Sequence, residues 1–449
     1  MKKKCLVAGL DGVPYTLLKK YIEKGILPNL ASILNNGFAL SQMDASLPDV
    51  SSTSWASFIT GANPGEHGIY GFMDLKPGSY QIYFPDYSSI KAPALWEILG
   101  KTGDDKKSSL SQAYNGKLHK PRRSVVLNVP QTNPAVPMNG VLAAGFVALD
   151  LKKAVYPDSA FQYLSSMEYS IDVDSDLAKD QKEIFLKELL GSFDKRKRAF
   201  RHFFQNEDWD LFIAAITETD RLHHFFYDAA LDESHPFHEI FVDFYRDLDR
   251  FLGELYKAFL EKAGKDGLFM AISDHGFTKI KSEVYVNAFL QKEGFLRLRR
   301  EGRFFERIDE GTRAFALDPC RIHINMEGKF PKGSVAAAKR DSVMEEITGA
   351  LFALRDESGQ KVMSSVFRGD EIYNGGEKDR GPDLLFLPND GFDLKGILKE
   401  EKIFGKRHFT GMHTRHDAHC VLPDSVPLNG KKPRIEDMAK VILDYFVSA

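Results

Sequence analysis

Cysteine and long apolar runs are scarce in this sequence, and each shortage excludes a class of protein. Three cysteines stand far apart among 449 residues, so we expect no disulfide framework and a reducing, cytoplasmic location. No apolar run approaches the length of a membrane span. The run after the N-terminal lysines stops at Asp11, before it reaches the length of a signal-peptide core. We therefore expect a globular protein that does not insert into a membrane.

A large excess of one charge is missing as well. The 60 basic and 63 acidic residues give a formal net charge of −3, so no overall field favours duplex nucleic acid or an anionic membrane as a partner. Hydrophobic residues make up 43% and charged residues 27%, as in ordinary globular domains. A chain of this length forms one large domain with a subdomain, or two domains. Its composition leaves the oligomeric state open.

Short apolar runs alternate with longer amphipathic stretches along the chain. We predict strands at residues 5–10, 125–129, 141–146, 211–216, 268–272 and 384–387. Helical periodicity marks residues 180–204 and 238–262. Strands separated by helices indicate βαβ units, so we predict an α/β fold with a mostly parallel central sheet flanked by helices. Functional sites in such sheets lie beyond the carboxyl ends of the strands.

Two stretches interrupt this alternation. Residues 103–123 are rich in Lys, Ser and Arg without periodicity, and we predict a surface insertion there. Residues 294–370 begin with phenylalanines and arginines and continue into a β-like piece at 322–326 and a long helix at 334–355. We predict that 294–370 is an inserted cap over the site that selects the substrate. An outer subdomain with solvated arginines is the alternative.

Acidic and histidine side chains follow several of the predicted strands. Carboxylates and imidazoles are ligands for zinc, manganese and iron. Each has an ordinary explanation when taken alone, as a helix cap, a packed histidine or a turn residue. Their joint appearance at several strand ends favours a metal site instead. They lie in four segments: Leu10-Asp11-Gly12, residues 217–224, Ser273-Asp274-His275-Gly276 and residues 411–417.

A hydroxyl-rich segment opens a predicted short helix that ends at Gly61. It contains Ser51, Ser52, Thr53 and Ser54. Free N–H groups and the positive end of the helix dipole can hold an anion at such a position. Serine is also a common N-cap without any catalytic role, so the segment alone leaves both interpretations open.

The order of these residues resembles that of the alkaline phosphatase superfamily, most closely the nucleotide pyrophosphatase/phosphodiesterase-like branch with its predicted phosphohydrolases and phosphomutases. Residues 60–69, Thr-Gly-Ala-Asn-Pro-Gly-Glu-His-Gly-Ile, resemble that branch's Thr-Gly-x-x-Pro-x-x-His-Gly-Ile, and residues 127–130 and 381–385 resemble further segments. The resemblance covers nearly the whole chain. It implies an alkaline phosphatase-like catalytic core at residues 1–293 and 371–449.

The resemblance also implies two divalent metal ions, zinc or alternatively manganese, with Ser51 between them as the nucleophile and a further contact to the metals. It assigns the ligands in two sets: Asp220, His224 and His413 in one, and Asp11, Asp274 and His275 in the other. Many relatives carry threonine at the position of Ser51. The neighbouring hydroxyls at 52–54 stay alternatives for the nucleophile, and His408 and His416 stay alternatives for His413. We expect structural roles for His67, His223 and Arg221.

The expected function is hydrolysis of a small phosphate monoester or diester through a phosphoserine intermediate. A phosphomutase of the same superfamily is the first alternative, although the large substrate-binding insertion of phosphoglycerate mutases has no evident counterpart here. A non-catalytic metal- or phosphate-binding protein is the second. The nucleophile segment lacks the Cys/Ser-x-Pro-x-Arg pattern of sulfatases. The first strand leads into Gly9-Leu10-Asp11-Gly12, which is not the Gly-x-Gly-x-x-Gly of dinucleotide-binding oxidoreductases.

Overall fold

The computed structural model describes residues 2–101, 107–118, 120–428 and 432–448. The strands are β1 (Cys5–Leu10), β2 (Phe38–Met43), β3 (Asp74–Leu75), β4 (Ile82–Tyr83), β5 (Ser124–Leu127), β6 (Gly140–Ala143), β7 (Val155–Tyr156), β8 (Leu211–Ile216), β9 (Leu268–Ile272), β10 (Gly276–Lys279), β11 (Ser282–Tyr285), β12 (Ala314–Leu317), β13 (Arg321–Ile324), β14 (Met363–Arg368), β15 (Leu384–Pro388), β16 (Phe392–Lys395), β17 (Phe404–Gly405), β18 (Gly411–Thr414) and β19 (Ala418–Pro423). The α-helices are α1 (Tyr15–Glu23), α2 (Pro28–Asn35), α3 (Ser51–Thr60), α4 (Pro64–His67), α5 (Leu95–Gly100), α6 (Ser109–Tyr114), α7 (Leu151–Ala154), α8 (Asp158–Ser166), α9 (Leu177–Asp180), α10 (Lys182–Asn206), α11 (Glu218–Leu231), α12 (His238–Ala263), α13 (Val286–Lys292), α14 (Arg340–Ala353), α15 (Gly369–Ile372) and α16 (Asp437–Val447).

The chain divides into two compact units. The first contains Met1–Ala62, Asp86–Phe277 and His413–Ala449, and the second contains Asn63–Pro85 and Thr278–Met412. Strands β10 and β18 each carry the chain across this division.

The first unit is built on an eight-stranded sheet with the order β2-β19-β9-β1-β8-β5-β6-β7. The five strands from β9 to β6 run parallel to one another, while β19 and β7 run antiparallel to their neighbours β9 and β6. Every residue of β1, β8 and β9 is buried. Strands covered on both faces read as continuous apolar runs in the sequence, which explains why these three could be predicted.

The predicted fold class is confirmed: a mostly parallel central sheet lies among helices. The predicted bounds of β1, β8 and β9 agree with the structure, and the predicted helices at 180–204 and 238–262 correspond to α10 and α12. The antiparallel strands β2, β7 and β19 were not predicted. Strand β2 is half-exposed, and its sequence gives no continuous apolar run.

The second unit contains its own sheets and its own core. A four-stranded sheet has the order β12-β13-β15-β14, and a three-stranded sheet has the order β16-β11-β17. The predicted strand at 384–387 is β15 of this unit. Residues 294–370 belong here, with β13 and α14 at the β-like piece and the long helix predicted in that stretch. Their action as a substrate-selecting cap stays a prediction.

Three further expectations concern the surface insertion, the cysteines and membrane-spanning helices. Residues 103–106 and His119 of the predicted insertion lie outside the described residues, and helix α6 forms within the rest of it. Cys5, Cys320 and Cys420 are free and buried; the cytoplasmic location itself stays a prediction. Within the described ranges, no helix has the length and apolarity needed to cross a membrane.

Candidate active site

The candidate site lies in the first unit, where three parallel strands end. Gly9 of β1 pairs with Ala215 of β8 on one side and with Ile272 of β9 on the other. The residues that follow these strands therefore emerge at the same edge of the sheet. Asp11 comes directly after β1, and Asp274 follows β9 after a single serine.

Asp11, Asp274 and His275 form what we call the inner group. His275 Nε2 lies 3.3 Å from Asp274 Oδ2 and 3.7 Å from Asp11 Oδ1. All three residues are buried, at 1% exposure or less. One ligand atom from each lies within 4.8 Å of the others, a spacing that can hold a metal ion. The predicted set of two carboxylates and one imidazole is thus brought together by the strand ends.

Asp220, His224 and His413 form the outer group. His224 Nε2 and His413 Nε2 each lie 3.3 Å from Asp220 Oδ1, and 3.0 Å from each other. Asp220 and His224 are four residues apart on α11, so they share one face of the helix. His275 Nε2 lies 3.9 Å from Asp220 Oδ1, and Asp220, His275 and His413 could also converge on one ion. His275 therefore stands between the two groups.

Ser51 begins helix α3 and contacts the inner group. Its Oγ lies 3.1 Å from His275 Nε2 and 3.4 Å from Asp11 Oδ1. Val50, the residue before the helix, provides no side-chain cap. The start of α3 thus offers an anion the positive end of a helix beside a hydroxyl.

The structure separates Ser51 from the three hydroxyls that follow it. Ser54 Oγ accepts a hydrogen bond of 3.3 Å from the N–H of Ser46, away from the two groups. Ser52 Oγ and Thr53 Oγ1 are buried and make no hydrogen bond within the described part of the chain. The hydroxyl of Ser51, by contrast, contacts both Asp11 and His275.

Burial and mutual repulsion dominate the electrostatics of the inner group. Burial, together with the carboxylates of Asp274 and Asp220, raises the pKa of Asp11 well above its usual range. Burial also raises the pKa of Asp274, and it lowers the pKa of His275 to about 4. Three buried carboxylates this close are costly unless a positive charge compensates them.

In the outer group, burial acts against ionisation of Asp220 but is outweighed. The imidazoles of His224 and His413 hold the pKa of Asp220 well below its usual range. Asp220 Oδ2 also accepts a 3.1 Å hydrogen bond from Arg221. Arg221 in turn forms a bidentate ion pair with Asp172, with its shortest contact at 2.6 Å.

These residues fit divalent metal ions. Asp220 Oδ1 and Asp274 Oδ2 are buried and accept no hydrogen bond from any described residue. Both oxygens point to the histidine nitrogens, at 3.3 Å. Buried carboxylate oxygens of this kind need a partner, and a cation held jointly with imidazoles supplies one.

The remaining histidines named from the sequence lie outside the two groups. His223 is buried between the carbonyl of Gly12 and the hydroxyl of Tyr245, at 2.9 and 2.7 Å, and burial lowers its pKa to about 3.

His67 belongs to the second unit, where its Nδ1 accepts from the N–H of Ile69 at 3.1 Å. His416 is exposed and contacts Asp44 at 3.0 Å. His408 is exposed and belongs to the second unit.

Several residues of the site were not found from the sequence. The indole N–H of Trp55 donates to Asp11 Oδ2 at 3.0 Å, and the N–H of Gly12 donates to Asp274 Oδ1 at 3.0 Å. Phe277 packs its ring against His275 and His413, with centroids 5.5 and 5.0 Å away. Trp55 lies four residues after Ser51, a spacing that places the two on one face of a helix. No such spacing relates Gly12 or Phe277 to the residues that they contact.

The chain belongs to the type I phosphodiesterase/nucleotide pyrophosphatase family, whose model matches residues 5–415. This places it in the alkaline phosphatase superfamily, as the resemblance implied. No curated protein matches the chain at a significant level.

Solved structures support the same fold. The chain is similar to the phosphonoacetate hydrolase of Sinorhizobium meliloti 1021 in complex with phosphonoformate, with a TM-score of 0.60, 15% identity, and coverage of 99% of this chain and 96% of that one. It is also similar to murine ectonucleotide pyrophosphatase/phosphodiesterase 5 in complex with AMP, with a TM-score of 0.55, 14% identity, and coverage of 99% and 95%. At these identities the likeness shows the fold alone. The family supports a phosphoester hydrolase.

Proposed function

We propose that this protein is a metal-dependent phosphohydrolase that cleaves a small phosphate monoester or diester through a phosphoserine at Ser51. The observation that carries the proposal is the position of Ser51 Oγ, 3.1 Å from His275 Nε2 and 3.4 Å from Asp11 Oδ1, at the start of α3. A nucleophile needs a charged or polar group that activates it within contact distance.

The inner and outer groups would each hold one divalent ion, zinc or alternatively manganese. When bound, such a pair of ions lowers the pKa of a coordinated hydroxyl and neutralises the charge on the transferred phosphoryl group. Ser51 Oγ loses its proton and attacks phosphorus: the bond from Ser51 Oγ to phosphorus forms, the bond to the leaving-group oxygen breaks, and that oxygen takes up a proton. Water then cleaves the phosphoserine, which releases phosphate from a monoester or a phosphate monoester from a diester and restores the hydroxyl.

The residues of the chain have separate tasks in this scheme. The N-terminus of α3 orients the phosphoryl oxygens with its N–H groups. Phe277 packs on the imidazoles of His275 and His413 and limits their rotation. Arg221 is already engaged by Asp172 and Asp220, so it keeps a structural role, as expected from the sequence.

A phosphomutase would share the first step and pass the phosphoryl group to a second hydroxyl of the substrate. It remains the alternative within the superfamily. A non-catalytic metal-binding protein is the less favoured alternative because the hydroxyl of Ser51 lies beside His275, a member of both groups of residues that could hold a metal ion.

Metal analysis and a substrate panel test the proposal. The purified protein is expected to bind two equivalents of zinc or manganese and to hydrolyse p-nitrophenyl monoesters or diesters in a chelator-sensitive way. Phosphonoacetate and a nucleotide diester belong in the panel because the two solved relatives hold a phosphonate and AMP. Phosphoryl transfer to a hydroxyl of the substrate without release of phosphate would indicate the mutase. A protein that binds no metal would contradict both enzymes.

A further inference from the structure

Each carboxylate of the site has one oxygen held by a donor from behind and one oxygen turned toward the histidines. Asp274 Oδ1 accepts from the N–H of Gly12 at 3.0 Å, and Asp220 Oδ2 accepts from Arg221 at 3.1 Å. Asp11 Oδ2 accepts from the indole N–H of Trp55 at 3.0 Å. The opposite oxygens, Asp274 Oδ2, Asp220 Oδ1 and Asp11 Oδ1, are those nearest His275 Nε2, at 3.3, 3.9 and 3.7 Å.

The donor behind Asp11 comes from the nucleophile helix itself. Trp55 lies one turn after Ser51 on α3, so both side chains project toward the same strand end. Asp11 Oδ1 is 3.4 Å from Ser51 Oγ while Asp11 Oδ2 is held by Trp55. One carboxylate therefore connects to the helix through both of its oxygens.

The indole is closely packed where it makes this contact. Trp55 is fully buried, and it packs edge-on against Phe58 with centroids 5.8 Å apart. A methyl group at Gly9 would come within 2.5 Å of Trp55 Cη2. The absence of a side chain at Gly9 is therefore what lets the indole lie against β1, two residues before Asp11.

We propose that Trp55 is a positioning residue of the metal centre. Its indole N–H holds Asp11 Oδ2, so that Asp11 presents Oδ1 alone to the ion of the inner group and to Ser51. This inference rests on the proposed function of the site as a metal centre, and it adds a residue that ligates nothing itself. Donors behind metal ligands fix the ligand's orientation, and their loss typically lowers metal affinity by about 10- to 100-fold.

The test is metal binding by Trp55→Phe, measured by competition with a chromophoric chelator on protein stripped of metal. The variant keeps most of the aromatic volume and removes the N–H. We expect the affinity for one ion to fall by about 10- to 100-fold while the other ion binds as in the wild type. The visible spectrum of bound Co²⁺ is expected to change too, because Asp11 is then free to bind through both oxygens.

The chain supplies a matched control. Trp96 is also buried, and its indole N–H donates to the hydroxyl of Tyr87 at 3.1 Å. Trp96→Phe loses the same ring atoms and one hydrogen bond without touching the site. It should therefore match Trp55→Phe in thermal stability and the wild type in affinity for both ions.

A second variant keeps the indole and disturbs its packing against β1. Gly9→Ala should push Trp55 away from Asp11 and weaken the same ion, which tests the contact even if Trp55→Phe fails to fold. Wild-type affinity for both ions in folded Trp55→Phe or Gly9→Ala would overturn the proposal, and so would equal weakening of both ions. A wild-type protein that binds no metal would instead overturn the proposed function as a whole.

Discussion

The inner and outer groups of the site differ in how the fold builds them. The inner group stands on the ends of β1 and β9, two strands paired in the middle of the sheet, and it is completely buried. The outer group draws Asp220 and His224 from a helix and His413 from β18, and its two imidazoles are 16% and 17% exposed. The ends of paired strands in the central sheet position the first group, whereas helix α11 and strand β18 position the second.

The two groups also differ in charge. Two carboxylates and one imidazole make up the inner group, and one carboxylate with two imidazoles makes up the outer group. The carboxylate of the outer group is shared with a cation, because Arg221 lies 3.1 Å from Asp220 Oδ2. A divalent ion is therefore expected to bind more tightly to the inner group, where negative charge is greater and burial removes competing water.

The largest expected effect comes from Ser51, which contacts the inner group without adding negative charge to it. Ser51→Ala should reduce turnover by roughly 10⁴-fold or more, as typical losses of a covalent nucleophile do. Both ions should stay bound because all six proposed ligands remain. Turnover and metal content, measured on the same preparation, test the loss of activity and the retention of both ions.

The neighbouring hydroxyls supply the controls for Ser51. Ser52→Ala and Thr53→Ala remove buried hydroxyls that make no hydrogen bond to any described residue, and Ser54→Ala removes one that accepts from Ser46, so all three should retain activity if folded. Loss of turnover in one of these variants but not in Ser51→Ala would move the nucleophile to that position. Full activity in all four would mean that water attacks phosphorus directly.

The second effect breaks the inner group itself. Asp274→Ala removes one of its two carboxylates, so we expect loss of the tighter ion and a fall in turnover of about 10³-fold or more. Asp249→Ala is the matched control, since Asp249 is an equally buried carboxylate that caps the start of α2 through the N–H groups of Asn29 and Leu30. It should lower stability by about 1–3 kcal/mol and leave metal content unchanged. Tight binding of both ions by Asp274→Ala would contradict the assignment of the inner group.

The third effect concerns the outer group and the choice of its second histidine. His413→Ala should weaken one ion so that activity falls by about 10²-fold, and excess zinc should restore part of it, because Asp220 and His224 remain in place. His416→Ala should behave as the wild type, since its ring contacts Asp44 at the surface. Metal-dependent activity curves for both variants, with His408→Ala beside them, decide which histidine is the ligand.

The same contrast explains how much of the site the sequence could predict. Asp11 and Asp274 follow strands that are buried on both faces. A continuous apolar run therefore ends just before each of them in the sequence and predicts their position at a strand end. Asp220 and His224 were visible through their spacing on a helix. Asp172 lies in an irregular stretch before α9, where nothing in the local pattern relates it to Arg221. Its contact depends on the folded chain alone.

The division of the chain was harder to predict than the fold class. The second unit begins at Asn63, inside the segment 60–69 that carries the family resemblance. A motif records the order of residues, whereas a unit is defined by contacts between distant segments, here Asn63–Pro85 with Thr278–Met412. Strand β19 gave no clear signal either, because it pairs antiparallel between β2 and β9 only once the chain has returned from the second unit.

The smallest expected effect lies behind the outer group. Asp172 neutralises Arg221 through contacts of 2.6 and 3.0 Å, and Arg221 holds Asp220 Oδ2. In Asp172→Asn, the uncompensated guanidinium should draw more strongly on Asp220 and so compete with the ion of the outer group. We expect an affinity loss of about tenfold for that ion, the low end of the range for residues behind ligands, and no change at the inner group.

Asp176→Asn is the control for Asp172→Asn, because Asp176 forms an exposed ion pair with Lys179 and such pairs contribute little. Metal titration of both variants separates a local effect on Arg221 from a general effect of lost charge. If Asp172→Asn instead weakened the ion of the inner group, the charge of Arg221 would act across the whole site. The inner and outer groups would then not be electrostatically independent, because one guanidinium would affect both.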